Sequence, residues 1–171
     1  MTGPNITIAV EDLVVHAGSK KLLGPISFEL PAGNALVIMG ETGAGKSLLA
    51  QAILGTLPDG LSAEGIIHLN GERIDQLSSQ QRSAFWGREV AILPQEPWLA
   101  LDPLMIAQSQ VRESHRYVAG LSRKAAKQAT ATDFQTLDLT GAEKRLPSAL
   151  SGGMAQRVAF AAATAADAPV L

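Results

Sequence analysis

Apolar and polar residues alternate along the first third of the chain in the manner of β-strands. Ile6, Ile8 and Val10 fall on one face of such a strand, and a second alternating run covers Ile26–Leu30. The next apolar run, Leu36–Met39, has no polar residue in it, which is typical of a strand covered on both faces. The pattern therefore predicts two half-buried strands followed by one buried strand.

A helical pattern begins shortly after the buried run, and several short elements follow it. Residues Lys46–Leu54 have the apolar spacing of a helix, and Gly55 is placed to end it. Beyond this helix the pattern predicts, in chain order, a strand over Gly65–Glu72 with an Asn-Gly turn, a short helix through Phe85 capped by Ser78 or Ser79, and a strand over Val90–Leu93.

The character of the chain changes between Pro97 and Ala149, where strand-like runs disappear. Ala, Gln, Ser, Arg and Lys dominate this stretch, so we expect a helical insert in which Ser122 caps a helix through Ala131. An Ala-rich stretch, Met154–Ala166, is then expected to be helical. Strands that alternate with helices place the chain in the α/β class.

Composition narrows the classes of protein that this chain can be. Among its 171 residues, Lys and Arg number 14 and Asp and Glu 16, so the net charge of −2 argues against a dedicated nucleic-acid binder. The chain has no cysteine, which excludes disulfides and thiolate metal sites. Val158–Ala166 is the longest uncharged apolar run and is too short to span a bilayer, and the first residues do not resemble a secretory signal. We therefore expect a soluble chain of cytoplasmic type.

Residues 40–47 carry the strongest chemical signal in the sequence. They fit the pattern G-x-x-x-x-G-K-[ST] between a predicted strand and a predicted helix, and they read Gly40, Glu41, Thr42, Gly43, Ala44, Gly45, Lys46 and Ser47. Glycines let backbone N–H groups turn inward around phosphate oxygens, and the start of the helix adds its positive dipole end. We expect the backbone of residues 43–48, Leu48 included, to hold the phosphates of a nucleotide, as in an ATPase or a GTPase. Lys46 would reach the β- and γ-phosphates, and Ser47 would ligate Mg²⁺.

Two further segments narrow the family. Leu150–Arg157 resembles the LSGGQ signature of ATP-binding-cassette (ABC) ATPases, and Ala91–Pro97 resembles the Q-loop of that family. Their order and spacing after the phosphate loop also match, and the resemblance covers essentially the whole chain. It implies that residues 1–95 form an antiparallel β subdomain and a P-loop core sheet. Residues 96–150 would form a helical subdomain, and residues 151–171 the signature helix and the start of a further strand.

The same resemblance implies roles for residues outside the phosphate loop. Gln95 becomes a contact to Mg²⁺ and to the attacking water. Ser151, Gly152 and Gly153 form a second helix start suited to anions, and in the family this helix start touches the γ-phosphate bound by the partner subunit. The implied assembly is a homo- or heterodimer of ABC ATPase subunits.

The sequence departs from the family pattern in two places. Ala17 stands where the family has an aromatic residue against adenine, and the neighbouring His16 is the available substitute. After the signature helix, Ala168–Leu171 resembles the entry to the Walker B strand, and no metal-holding Asp, catalytic Glu or switch His follows it. We interpret the chain as a partial cassette that is inactive as an ATPase by itself. In the family's sheet the strand that begins at Pro169 lies beside Leu36–Met39.

The resemblance implies an ATPase subunit that couples ATP binding and hydrolysis to solute import through a membrane permease, on the cytoplasmic face. Met154 after the double glycine, and the similarity of Leu101–Met105 to a segment near the permease contact, favour the peptide and nickel importers. A phosphonate-type cassette, a non-transport cassette and a catalytically silent nucleotide-binding fragment are the alternatives.

Other conspicuous side chains have simpler interpretations. No metal-ligand spacing joins the histidines, so His16, His68 and His115 are expected in surface or structural roles. Trp86 and Trp98 are expected to be packing residues, and residues 143–145 to form a solvated helix face.

Overall fold

The computed structural model describes residues 6–171. The chain divides into two compact units, one ending at Ala84 and the other comprising Phe85–Leu171. Within the described residues, no helix has both the length and the apolar character needed to cross a membrane.

The first unit is built on one antiparallel sheet of four strands in the order β2-β1-β3-β4. Strand β1 covers Ile6–Ala17, β2 Lys20–Pro31, β3 Leu61–Leu69 and β4 Glu72–Arg73. The alternating pattern at the start of the chain predicts a half-buried strand, and β1 buries the side chains of Ile8, Val10, Leu13 and Val15. The antiparallel subdomain predicted from the sequence is therefore present.

Strand β1 is interrupted near its centre by a bulge at Asp12. The pairing of β1 with each neighbour shifts register there, and the Asp12 backbone has a φ of 48° while its N–H donates to Ser27 Oγ over 2.8 Å. Two flanking glycines accommodate the bulge. A Cβ on Gly24 would collide with the Leu13 carbonyl oxygen, and one on Gly65 would lie 2.7 Å from Leu13 Cα. Only glycine fits at these two positions.

The apolar run Leu36–Met39 does not form the buried strand that the sequence predicts. The structure assigns it no strand, and its side chains are between 44% and 87% exposed. The physical reason lies in the sheet of the first unit, whose strand order leaves no described strand to pair with this run. An apolar run becomes a covered strand only where neighbouring strands and a second layer are present.

The helix and strand predicted for the rest of the first unit are confirmed, with a small shift in where the strand begins. Helix α1 covers Lys46–Leu54 as expected, and β3 begins four residues before Gly65 because Leu61 already pairs with Ala17. Residues 70 and 71 both have positive φ, as a tight Asn-Gly hairpin turn requires.

Helix α2, Ser79–Arg82, continues as a 3₁₀ turn through Phe85. Ser78 caps it, since its Oγ accepts the Gln81 N–H at 3.3 Å while Gln81 Oε1 accepts the Ser78 N–H at 2.9 Å.

The second unit is helical around one apolar core. Helix α3 covers Ala107–Glu113 and continues as a π-helical turn through Val118; α4 covers Arg123–Thr136 and α5 Gly152–Thr164. The helical insert predicted from the sequence is thus confirmed, and Ser122 caps α4 by accepting the Ala125 N–H at 3.2 Å. The most deeply buried large side chains of this core are Val111, Phe134, Leu139 and Val158.

Two expectations for the second unit are wrong. Val90–Leu93 form no continuous strand; Val90 makes single-residue parallel bridges to Trp86 and to Val170. Residues 143–145 lie in a turn and not on a helix face. Their carbonyl groups satisfy the start of α3, since Arg145 O accepts the Ala107 N–H at 2.9 Å and Glu143 O accepts the Gln108 N–H at 3.1 Å.

Candidate functional site

The phosphate loop, Gly40–Ser47, includes the first two residues of α1, and the backbone conformation requires glycine at two of its positions. Gly43 and Gly45 have φ values of 87° and 86°, in the left-handed region that favours glycine. A Cβ on Gly45 would also lie 2.9 Å from Leu23 Cδ1 on strand β2. The sheet therefore packs directly against the backbone of the loop, and no motif in the sequence marks Leu23 for this role.

The Lys46 side chain folds back across the loop that precedes it. Its Nζ donates to the carbonyl oxygens of Gly40 at 2.7 Å and Glu41 at 2.8 Å. The Glu41 carbonyl also accepts the Ala44 N–H at 3.1 Å, which closes a turn inside the loop. Because an ammonium has three donors, these two bonds leave one N–H to bind an anion.

The start of α1 differs from the starts of α4 and α5. Ser122 and Ser151 cap those two helices with their side chains, whereas Gly45 at the cap position of α1 makes no side-chain cap hydrogen bond in the described structure. The first N–H groups of an uncapped helix can donate hydrogen bonds to an anion. Leu49 and Ala52 of α1 are buried, so one face of the helix packs against the protein.

The signature segment, Leu150–Arg157, opens α5 in the second unit. Ser151 Oγ accepts the Met154 N–H at 3.3 Å, and the Ser151 carbonyl accepts the Ala155 N–H at 2.9 Å. Gly152 and Gly153 are exposed, and a Cβ built on either would meet no atom within 4 Å among the described residues. The serine hydroxyl keeps its own proton to donate, so this helix start remains open to an anion.

Gln95 lies in the second unit, in a bend just before the 3₁₀ turn Pro97–Ala100. Its side chain is exposed while Pro97 is buried. The phosphate loop belongs to the first unit, whereas Gln95 and Ser151–Gly153 belong to the second. Their joint action in one nucleotide site therefore stays a prediction.

The remaining candidates divide into structural and surface residues. His16 and Ala17 end strand β1 and are half-buried. His115 is buried, and its Nε2 lies 2.6 Å from Asp133 Oδ2, which ties the π-helical turn to α4. Trp86 and Trp98 are 38% and 39% exposed, so the expectation that they are packing residues is only partly met. Across residues 6–171, no cluster of three His, Cys, Asp or Glu side chains could hold a metal ion.

Comparison with known proteins decides the family. The model of the ABC transporter family matches residues 23–171, which include the phosphate loop, Gln95 and the signature segment. The chain belongs to the ABC transporter family. This confirms the resemblance inferred from the motifs.

The curated relatives of this ABC chain include peptide transport proteins. It is 31% identical over 173 residues to the oligopeptide transport ATP-binding protein OppD of Bacillus subtilis, which covers 96% of this chain and 48% of the relative. It is 34% identical over 165 residues to the dipeptide transport ATP-binding protein DppD of Haemophilus influenzae, which covers 91% of this chain and 50% of the relative. The chain thus spans about half the length of these relatives.

A solved structure supports the fold independently of close sequence similarity. An ATP-binding cassette, solved as a dimer in a post-hydrolysis state bound to ADP and Pi, matches with a TM-score of 0.78 and 21% identity. The match covers 94% of this chain and 70% of that chain. The α/β P-loop fold of an ABC ATPase, predicted from the sequence, is therefore confirmed.

Proposed function

We propose that this chain is the nucleotide-binding part of the ATPase subunit of a peptide importer, which couples ATP binding and hydrolysis to transport through a membrane permease. The observation that carries the proposal is the Lys46 ammonium, held 2.7 and 2.8 Å from two loop carbonyls beside the uncapped start of α1. Such an arrangement suits the phosphate chain of a nucleotide.

The phosphates of ATP would bind in the phosphate loop. Backbone N–H groups of residues 43–48 and the remaining Lys46 donor supply positive partial charge. The residues at this loop also fit Mg²⁺, because the Ser47 hydroxyl is exposed at the first turn of α1, and hydroxyl and amide oxygens are donors that this ion takes. Ser47 would be its protein ligand at the loop, and a contact from the amide oxygen of Gln95, in the second unit, stays a prediction. When bound, the ion neutralises charge on the β- and γ-phosphates.

The second nucleotide contact would come from another subunit. The exposed Ser151–Gly153 helix start has an available hydroxyl proton and open space around both glycines. These are the features that a γ-phosphate held by a partner's loop requires. The solved cassette that matches this fold is itself described as dimeric. We therefore propose a homo- or heterodimer in which each signature segment completes the partner's site.

The permease would bind the second unit. A cavity of about 380 Å³ there is lined mainly by apolar side chains, among them Leu93, Pro97 and Met105. In the same stretch of chain Leu99 and Leu104 are 72% and 87% exposed. We propose that an apolar segment of the permease packs against this cavity, with the subunit on the cytoplasmic face of the membrane.

We propose peptides as the transported solutes because of the names of the relatives. OppD and DppD are named for oligopeptide and dipeptide transport. The Leu101–Met105 segment and Met154 favour the same group. A phosphonate-type or non-transport cassette is less well supported, and the inactivity of this chain by itself stays a prediction.

A calorimetric titration tests the assignment of the loop. Lys46→Ala removes the ammonium that faces the phosphates, so we expect the heat of ATP and ADP binding to disappear while the protein stays folded. The matched control is Lys21→Ala, which removes an exposed lysine of the same unit on β2. The control should bind as the wild type does. Equal ATP binding by wild type and Lys46→Ala would refute the proposed site.

A further inference from the structure

The C-terminal end of α1 is held by a residue that no motif singles out. Arg82, at the end of α2, donates from Nη1 to the Ala52 carbonyl oxygen at 3.3 Å and from Nη2 to the Asp75 carbonyl oxygen at 2.8 Å. Its side chain also lies against the glycine that ends α1, since a Cβ on Gly55 would be 2.5 Å from Arg82 Cδ. One guanidinium thus joins the end of the nucleotide-binding helix to the segment after β4.

The environment of Arg82 is unusual for a surface arginine. Its Nε is buried and has no hydrogen-bond partner among the described residues. Burial lowers the pKa of the guanidinium, and the nearby Asp75 opposes that shift. Arginine stays charged in proteins, so a positive charge is held against the carbonyl end of α1, where the helix dipole is negative.

The other end of this connection is fixed to the sheet through Asp75. Its Oδ1 accepts the backbone N–H of Ile67, on β3, at 3.0 Å, and its carboxylate pairs with Arg73 at 3.0 Å. Burial raises the pKa of Asp75, but the hydrogen bonds from Arg73 and Ile67 outweigh it and keep that pKa below its usual value. Asp75 is therefore a fixed point against which Arg82 can hold α1.

We propose that Arg82 is a positioning residue for phosphate binding. Helix α1 has nine residues and is about 14 Å long, so a change at its C-terminal end moves its N-terminal end as well. Arg82 fixes the axial position of the helix and thereby the position of Lys46 and of the first-turn N–H groups. The proposal rests on the phosphate loop's being the ATP site.

The experiment compares four variants by calorimetric titration with ATP and, separately, with inorganic tripolyphosphate. Arg82→Gln removes the charge and the two-pronged contact, Arg82→Lys keeps the charge alone, and Lys46→Ala tests the site itself. The matched control is Lys21→Ala, which removes an exposed cation of the same unit, on β2, away from the Arg82–Asp75 connection. Each titration gives the Kd and the number of sites, so loss of folded protein is distinguished from weaker binding.

We expect Arg82→Gln to raise the Kd about tenfold, the lower end of what displaced supporting residues cost, with the number of sites unchanged. The loss should be equal for ATP and tripolyphosphate, because in the proposed site α1 would contact only the phosphates. Arg82→Lys should fall between Arg82→Gln and wild type, and it serves as the test if Arg82→Gln does not fold. Wild-type Kd values for both Arg82 variants, or an equal loss in Lys21→Ala, would overturn the proposal. A wild type that binds no nucleotide would instead overturn the proposed function.

Discussion

At the scale of single residues, the phosphate loop depends on backbone conformations that only glycine adopts without strain. Gly43 and Gly45 both have positive φ, and a Cβ on Gly45 would lie 2.9 Å from Leu23 Cδ1, so the end of that side chain would have to shift. The motif made these glycines and Lys46 predictable from the sequence. The contact between Leu23 and Gly45 and the hydrogen bond between Arg82 and Ala52 were not predictable, because they join residues that lie 22 and 30 positions apart in the chain.

Gly45→Ala tests this local requirement. A left-handed conformation costs a non-glycine residue about 1–2 kcal/mol, and relief of that strain and of the Leu23 clash would distort the loop. We expect the Kd for ATP to rise at least tenfold, as measured by calorimetry.

The control is Gly33→Ala, which has a similar φ of 78° but no atom within 4 Å of the added Cβ. It should lose comparable stability without losing affinity. Wild-type affinity in Gly45→Ala would contradict the account of the loop.

At the scale of elements, capping signals were the most reliable part of the sequence. Ser78, Ser122 and Ser151 each cap the helix expected of them, because a cap depends on residues only three positions apart. The prediction that Leu36–Met39 forms a strand was wrong, because a strand needs neighbouring strands to pair with and the local hydrophobic pattern does not show whether these are present. The prediction that residues 143–145 form a helix face was wrong for a similar reason. Carbonyl groups of these residues accept hydrogen bonds from the first N–H groups of α3, a contact that local pattern does not show.

The Asp75 connection makes stability of the first unit depend on pH in acid. Because the folded-state pKa of Asp75 is lowered, its contribution is present above the unfolded pKa of about 3.9 and is lost as pH falls through the folded value. Asp75→Asn should therefore be less stable than wild type at neutral pH, and the difference should narrow below about pH 4. Denaturant unfolding of both proteins between pH 3 and pH 7 measures it; a difference that widened in acid would contradict this role.

At the scale of the whole molecule, the chain presents an apolar segment with no described strand beside it in its own unit. Val37 and Met39 are 75% and 87% exposed. Extended apolar segments of this kind recruit other chains. The hydrophobic pattern predicts a buried strand over Leu36–Met39, yet among residues 6–171 this run is neither a strand nor covered.

We expect this chain, on its own, to self-associate through Leu36–Met39. Light scattering should detect oligomers for the wild type, and the double variant Val37→Ser with Met39→Ser should reduce them. The control, Leu104→Ser, changes an equally exposed leucine in the other unit and should leave association unchanged. A monodisperse wild-type monomer would contradict the expectation.

The central claim is that the loop and first turn of α1 bind the phosphates of a nucleotide. Amide NMR of the ¹⁵N-labelled chain, titrated with ATP and then with adenosine, tests it most directly. The account predicts that ATP shifts the amide resonances of residues 43–48 and that adenosine, which lacks phosphates, leaves them in place. Equal shifts with adenosine, or unchanged resonances of Gly43, Gly45 and Lys46 at saturating ATP, would contradict it.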